Sequence, residues 1–367
     1  MASLLKNLYS PAFYDRLTKV LTVTIPGFDK QRFIKEIFSK DFESKELKER
    51  MKHTSRVLHG FLPEDYPKTI ELINKTIAQL RMQGIGEDGL AFMFLPDYIE
   101  TYGINDFETS VEALELVTQF VSCEFAVRPF ILKYEKEMIL RMQQWSQHES
   151  YKVRRLASEG SRPRLPWAMG IPFLKKDPGS ILPILENLKT DPSEYVRRSV
   201  ANSLNDIAKD HPQVVVDIAK KWSGLGSETD AIIKHGSRTL LKQGHADILK
   251  HYGLDDKGIL LTDFKILTPE IKIGESLEFS FSITNENPVE QRVRLEYAIY
   301  YKKQNGQNTK KVYKISERIY PSGQMVNIIR KQKFVLITTR KFHLGDHQLS
   351  MIVNGAEKEI SHFILTA

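Results

Sequence analysis

A chain that matches itself at intervals of about forty residues has few folds open to it, because each copy is a unit whose apolar face only the next copy can bury. Here YKVRRLASEG, starting at Tyr151, aligns with EYVRRSVANSLND, starting at Glu194, and sets Val153 on Val196 at an offset of 43. DAIIKHGSRTLLK continues the series, with Leu204 on Leu240 at an offset of 36. Apolar residues recur three and four apart around these strings, which is the helical period. Two helices per unit at this period predict a HEAT-like solenoid over residues 1–255. Within it, TSVEALELVTQFVSCEFAV reads as one helix, with Thr109 or Ser110 as N-cap and Pro129 near its end.

After HYGLDDKG the period drops to two. LEFSFSIT sets Leu277, Phe279, Phe281 and Ile283 on one side, and RVRLEYAI and HQLSMIV repeat the alternation. Turn signals stand between them at NENP, Asn305-Gly306, PSG and Asn354-Gly355. Residues 259–367 are therefore expected to form a small antiparallel sandwich of immunoglobulin-like type. No disulfide or tryptophan of the usual Ig pattern is present, so the expectation rests on strand number. The predicted fold class is an all-α HEAT-like helical solenoid followed by a small all-β Ig-like sandwich.

The 367 residues suffice for two cores without covalent staples. One cysteine, Cys123, excludes an internal disulfide framework, and no Cys/His spacing suits a structural zinc site, so no metal is expected. A reducing, intracellular setting fits. MASLLKNLYSPAFYDRL lacks the apolar run of a signal peptide and LAFMFLP is too short to span a bilayer, so we expect a soluble protein with no membrane partner. GIGEDG, from Gly84, matches the dinucleotide pattern G-x-G-x-x-G. It follows a helical stretch, AQLRMQ, and its acidic pair would repel a pyrophosphate, so it reads as a turn. The P-loop, GxSxG and HExxH patterns are absent.

Charge becomes informative once located. The chain carries +7, and residues 256–367 hold 17 basic against 12 acidic side chains, most of that excess. Tyr301–Lys341 has eleven basic residues and one acid, Glu317; Tyr151–Lys176 has seven and one, Glu159. Two such stretches suggest an extended polyanion touched at two places, although a charge run alone is as often a solvated face. The candidate contacts are Arg154, Arg155, Arg162, Arg164 and Arg198 in the repeats, and Lys302, Lys303, Lys310, Lys311, Arg330 and Lys331 in the strands.

Carrying the register back by 35 sets Glu159 on Glu124, and forward by 43 on Asn202, so three units offer Glu124, Glu159 and Asn202 at equivalent places. Arg155 and Glu159 are four apart, as are Arg198, Asn202 and Asp206, which puts each set on one helical side. Such ladders also simply knit repeats together, an adequate account of Asp191 and Arg197. Glu124 has apolar neighbours in QFVSCEFAV and needs a cation; Arg128, four residues on, is the expected one. Trp167, after Pro166 and beside the arginines, is either a core anchor or a face for a cationic ligand.

RRLASEGSRPRLPW, preceded by CEFAVRPF and by Trp145-Ser-x-His148 and followed by D-P-S-x-Y-V-R-R-S-V-A-N-x-L-N-D, resembles the AlkC family of DNA alkylation-repair glycosylases, in the HEAT-like repeat superfamily. The resemblance spans the solenoid, and some members carry an Ig-like C-terminal module. It implies hydrolysis of the N-glycosidic bond of 3-methyladenine and 3-methylcytosine in double-stranded DNA. The family's essential acidic and aromatic residues would fall on Glu124, Glu159, Trp167 and Asp206, with Arg155 and Arg162 contacting the backbone or ordering the site. A cytoplasmic monomer of prokaryotic type, associated with the nucleoid during repair, is then expected, with no cofactor, no obligate protein partner and water as co-reactant. A solenoid offers no deep pocket, so the DNA should bend over it instead of surrendering a fully flipped base. The alternative is a non-catalytic HEAT-repeat scaffold or DNA-binding protein. Carboxylates on the DNA-facing side separate the two, since a phosphate binder gains nothing from them.

Overall fold

The computed structural model describes residues 5–85, 89–336 and 341–367. Among the described residues, fifteen α-helices precede residue 259 and eight strands follow it. The chain divides into two compact units, Met1–Asp210 with Trp222–Gly236, and His211–Lys221 with Ser237–Ala367. The second unit thus contains the helices Arg238–Gln243 and Ala246–His251 as well as the strands.

In the helical unit, the helices Val127–Trp145, Tyr151–Gly160, Glu194–Ile207 and Ser227–Gly236 pack in series. Repeated sequence produces repeated capping. Ser150 N–H donates to His148 Nδ1 (2.9 Å) and Ser193 N–H to Asp191 Oδ1 (2.8 Å), one period apart. Arg154 Nη1 donates to the carbonyls of His148 and Glu149 (3.0 and 2.7 Å), and Arg197 Nη1 to those of Asp191 and Pro192 (both 2.8 Å). Each arginine so satisfies carbonyls ahead of its own helix, and Arg154 also reaches Asp191 of the next unit at 2.6 Å. Asp191 thus joins repeats through Arg154, whereas these Arg197 bonds stay within its own unit. Close helix approach requires Gly160, where a Cβ would stand 2.5 Å from Val127 Cγ1.

One predicted helix is two. The segment forms a helix Phe107–Val117, capped by Asp106, whose side chain accepts from Thr109 N–H; a turn region, 118–126, separates it from the helix Val127–Trp145. Thr109 and Ser110 are therefore not caps. Pro129 lies in the first turn of the second helix, where a missing N–H costs nothing. Gly84, at φ 65°, follows the helix Tyr66–Met82, while residues 86–88 of the GIGEDG string lie outside the described residues.

The strands are β1 (Ile259–Ile266), β2 (Glu270–Lys272), β3 (Ser276–Asn285), β4 (Gln291–Lys302), β5 (Asn308–Tyr320), β6 (Met325–Lys333), β7 (Gly345–Val353) and β8 (Ala356–Thr366). They form sheets ordered β1-β3-β6 and β2-β8-β7-β4-β5, antiparallel except for β2 beside β8. Leu277, Phe279, Phe281 and Ile283 enter the core as their alternation predicts. Asn354 and Gly355 take φ of 47° and 80° between β7 and β8, the geometry that an Asn-Gly hairpin favours. β4 departs from alternation and is buried continuously from Val293 to Ile299. The face expected in solvent carries Arg294 and Glu296, and these are buried because they pair: Arg294 Nη2 lies 2.5 Å from Glu296 and Nη1 2.9 Å from Glu317.

Candidate active site

The site's carboxylates come from a turn and two helices. Glu124 stands in the turn before the helix Val127–Trp145, Glu159 at the end of the helix Tyr151–Gly160, and Asp206 at the end of the helix Glu194–Ile207. Arginines tie all three into one network. Arg155 Nη1 hydrogen-bonds Glu124 Oε2 and also donates to Ser122 Oγ at 2.9 Å, while its Nη2 lies 3.7 Å from Glu159. Ser122 Oγ donates to the same Glu124 oxygen at 2.9 Å. Arg162 bridges the other half, 2.6 Å from Glu159 Oε1 and 2.9 Å from Asp206 Oδ2, and Lys209 holds the second Asp206 oxygen at 2.9 Å.

Exposure is graded along this chain of charges. The Asp206 side chain is 3% exposed and that of Glu159 7%, whereas that of Glu124 retains 19%. Solvent therefore reaches the Glu124 end. Burial works against the charge on Arg162, and Glu159 with Asp206 more than offsets it, so its pKa rises above the usual arginine range.

Arg128 does not pair with Glu124 as the four-residue spacing implies, because Glu124 lies outside the helix. Its guanidinium is fully buried and donates to the carbonyls of Met169 (2.7 Å), Gly160 and Arg162 (both 2.8 Å). Burial, followed by the adjacent Arg162, draws its pKa down to about 10; Asp206, Glu159 and Glu124 act in the other direction.

Trp167 is 67% exposed at φ 66°. Its carbonyl accepts from Lys48, whose ammonium also lies over the Phe125 ring, 5.1 Å from the centroid. Sequence reasoning missed Lys48, Phe125 and an acidic pair nearby, Asp97 buried and Glu100 half-buried. Asp97 and Glu100 line a small cavity with Met51, Ser122 and Phe125. Burial and then Asp97 push Glu100 up to about 7 against the pull of Lys52 and Lys48. Only the helical spacing of Asp97 and Glu100 signalled this pair.

The other predicted contacts separate. Arg154 is held bidentately by Asp191 at 2.6 and 3.1 Å, and Arg164 by Asp210 at 2.7 and 2.9 Å. Arg198 is exposed and lines a cleft of about 380 Å³ with Glu194, Arg197, Glu228 and His235. Arg155 lies over the half-exposed Tyr195 ring at 4.4 Å, and Tyr151 meets that ring edge-on. In the strand unit, Lys310 pairs with Glu357 at 2.7 Å and Lys331 with Glu278 at 2.5 Å. Lys303, Lys311 and Arg330 are exposed, and Lys302 ends β4 half-buried. Among the described residues no group of three or more His, Cys, Asp or Glu could hold a metal, and no helix is long and apolar enough to cross a membrane.

Residues 260–367 match the family model described as "Uncharacterised protein YhaZ, C-terminal Ig-like domain", and residues 181–211 match the HEAT repeat. "Uncharacterized protein YhaZ" of Bacillus subtilis (strain 168) is 42% identical over 360 residues, 98% of either chain. The solved structure of the Pseudomonas fluorescens alkylpurine DNA glycosylase AlkC, bound to DNA containing an abasic site analog, superposes with a TM-score of 0.93, 35% identity and full coverage of both chains.

Proposed function

The chain belongs to the AlkC family, and on that premise we propose that it is a monofunctional DNA glycosylase that hydrolyses the N-glycosidic bond of 3-methyladenine and 3-methylcytosine in duplex DNA. The activity class rests on the full-length likeness to a DNA-bound alkylpurine glycosylase. The observation that carries the mechanism is the joining of Glu124 and Glu159 through one guanidinium, with the Glu124 end open to solvent.

An N3-methylated base is cationic, so it needs no strong protonation to leave. The glycosidic bond breaks with both electrons passing to the base, which departs neutral and leaves an oxocarbenium-like sugar. Glu159 and Glu124 stabilise that developing charge; one of them accepts a proton from the water that bonds to C1′. Asp206, with both oxygens occupied by Arg162 and Lys209, acts on the site's field and holds Arg162 in place. Trp167 offers an indole face to the cationic lesion or the sugar. Arg155, held by Glu124 and Ser122, orders the site, while Arg198 and the strand residues Lys303, Lys311 and Arg330 meet phosphates of bent DNA.

Glu159→Gln tests the reading in an assay of 3-methyladenine release from methylated DNA. We expect DNA binding to persist while release falls by about 100- to 1,000-fold, the range for one lost transition-state contact. Unchanged release removes Glu159 from the chemistry. Binding without release by the wild type favours the non-catalytic scaffold.

A further inference from the structure

We propose that Arg128 is the positioning residue of this active site: from inside the helical unit its guanidinium holds three carbonyls of residues 160–169, and so fixes where Arg162 and Trp167 stand relative to the carboxylates. The inference rests on the glycosylase reading above.

The segment it grips is poor in backbone hydrogen bonds and is otherwise held by side chains, Arg162 on Glu159 and Asp206, Arg164 on Asp210, and the buried Ser161 and Leu165. Its backbone bonds past the helix are Ser161 N–H and Arg162 N–H to Glu159 O (the latter 3.3 Å), Ala168 N–H to Leu165 O (3.3 Å) and Ile171 N–H to Pro163 O (3.2 Å). Pro163 and Pro166 have no N–H to contribute. Trp167 sits in the left-handed region at φ 66°, which a bulky side chain occupies only when its surroundings impose it. Arg128 supplies that constraint at both ends of the segment, through Gly160 and Arg162 on one side of Trp167 and Met169 on the other. Lys48 grips the Trp167 carbonyl itself from the neighbouring element.

Only a guanidinium suits this task, because its fork of donors is planar and fixed, whereas an ammonium is a point donor on a flexible stem. All the hydrogen bonds of Arg128 go to main-chain carbonyls, so its positive charge is not spent on a direct ion pair. It remains under Asp206, Glu159 and Glu124, which favour it, and beside Arg162, which opposes it. Arg128 thus serves geometry by its fork and the carboxylates by its charge, and these two contributions can be separated experimentally.

The test compares wild type, Arg128→Lys and Arg128→Met in single-turnover release of 3-methyladenine across pH. Thermal melting and affinity for DNA with an abasic-site analog are measured alongside. With the fork lost in both variants, each releases base at least about 100-fold more slowly, the scale of roughly 1 Å of misplacement. The acidic limb of the rate profile moves to higher pH for Arg128→Met, where the cation is gone, and stays in place for Arg128→Lys. Abasic-DNA affinity remains within a few-fold of wild type in folded protein. Wild-type rates and pH profiles in both variants overturn the inference while leaving the glycosylase reading intact. Loss of abasic-DNA affinity in parallel with rate also overturns it, since that is the mark of a general structural role. No release by the wild type overturns the glycosylase reading itself.

Discussion

Among the described residues, each unit holds a cluster of arginines and carboxylates, built from the same residue types to opposite ends. In the strand unit, Arg294 lies between Glu296 and Glu317, exposed by 4%, 0% and 7% of their side chains, with Lys314 closing the Glu317 side at 3.0 Å. In the helical unit the alternation continues through more members, and its exposure rises from Asp206 toward Glu124, beside Ser122, Phe125 and the turn that presents Trp167. A closed cluster can only hold strands together. A graded one keeps one carboxylate oriented and accessible, which suits chemistry on a cation.

The two clusters should differ most in what they contribute to stability. Glu296→Gln leaves Arg294 buried beside a neutral partner and should destabilise the strand unit by about 3 kcal/mol, since removing half of a buried pair strands the other half. Melting followed by a probe of the strand unit measures this. Base release per folded molecule should not change; a fall of tenfold or more would show that the two clusters are not functionally distinct.

Glu124→Gln is the counterpart at the open end. It should cost about 3 kcal/mol of transition-state stabilisation, a drop of about 100-fold in release, with a melting temperature within 2–3 °C of wild type. Loss of stability with rate preserved would place Glu124 among structural ion pairs instead.

The difference between the clusters was only partly legible in the sequence. Register suggested that Glu124 and Glu159 belong together; Arg155 does lie against both, but Glu159 comes from a helix and Glu124 from a turn, so they are not equivalent rungs. Register could not show that the chain leaves helical geometry after Val117, so Arg128 was matched to Glu124 on a spacing that holds only inside a helix. The actual partner, Arg155, is 31 residues away. Alternation found the inner face of β3, where hydrophobicity decides the side. On β4 it also found the core face, Val293, Leu295, Tyr297 and Ile299, but not the burial of Arg294 and Glu296 opposite, which enter the interior as a pair while periodicity scores each residue singly. The adjacent Arg154 and Arg155 make the same point: one joins Asp191 to tie repeats and the other joins two glutamates, and only the partners distinguish them.

Trp167 sharpens the contrast from the aromatic side, since Trp145 and Trp222 are buried and donate to Glu115 and Glu186 at 2.6 and 2.9 Å. Trp167→Ala should remove a cation–π contact of about 0.5–2 kcal/mol, slowing release by roughly 2- to 30-fold. The loss should be greater for a cationic base than for a neutral substrate such as hypoxanthine, if the latter is released measurably. Equal losses on both would make the indole a steric wedge.

The smallest effect concerns the exposed cations of the strand unit, where the outcome depends on which charges are already occupied. Lys310 and Lys331 are paired with Glu357 and Glu278, whereas Lys311 lies over Tyr313 at 5.4 Å and is exposed. An occupied cation has less to offer a phosphate, because binding must first exchange one anion for another. Lys311→Ala should therefore weaken DNA binding several-fold at low salt and reduce the slope of log affinity against log salt by about 0.9, one phosphate contact. Lys310→Ala should do less on both counts. Binding isotherms from about 50 to 200 mM salt measure the slopes over the range where such contacts register. Equal slopes for both variants and wild type would remove the strand unit from the interface and leave the helical unit to hold the DNA alone.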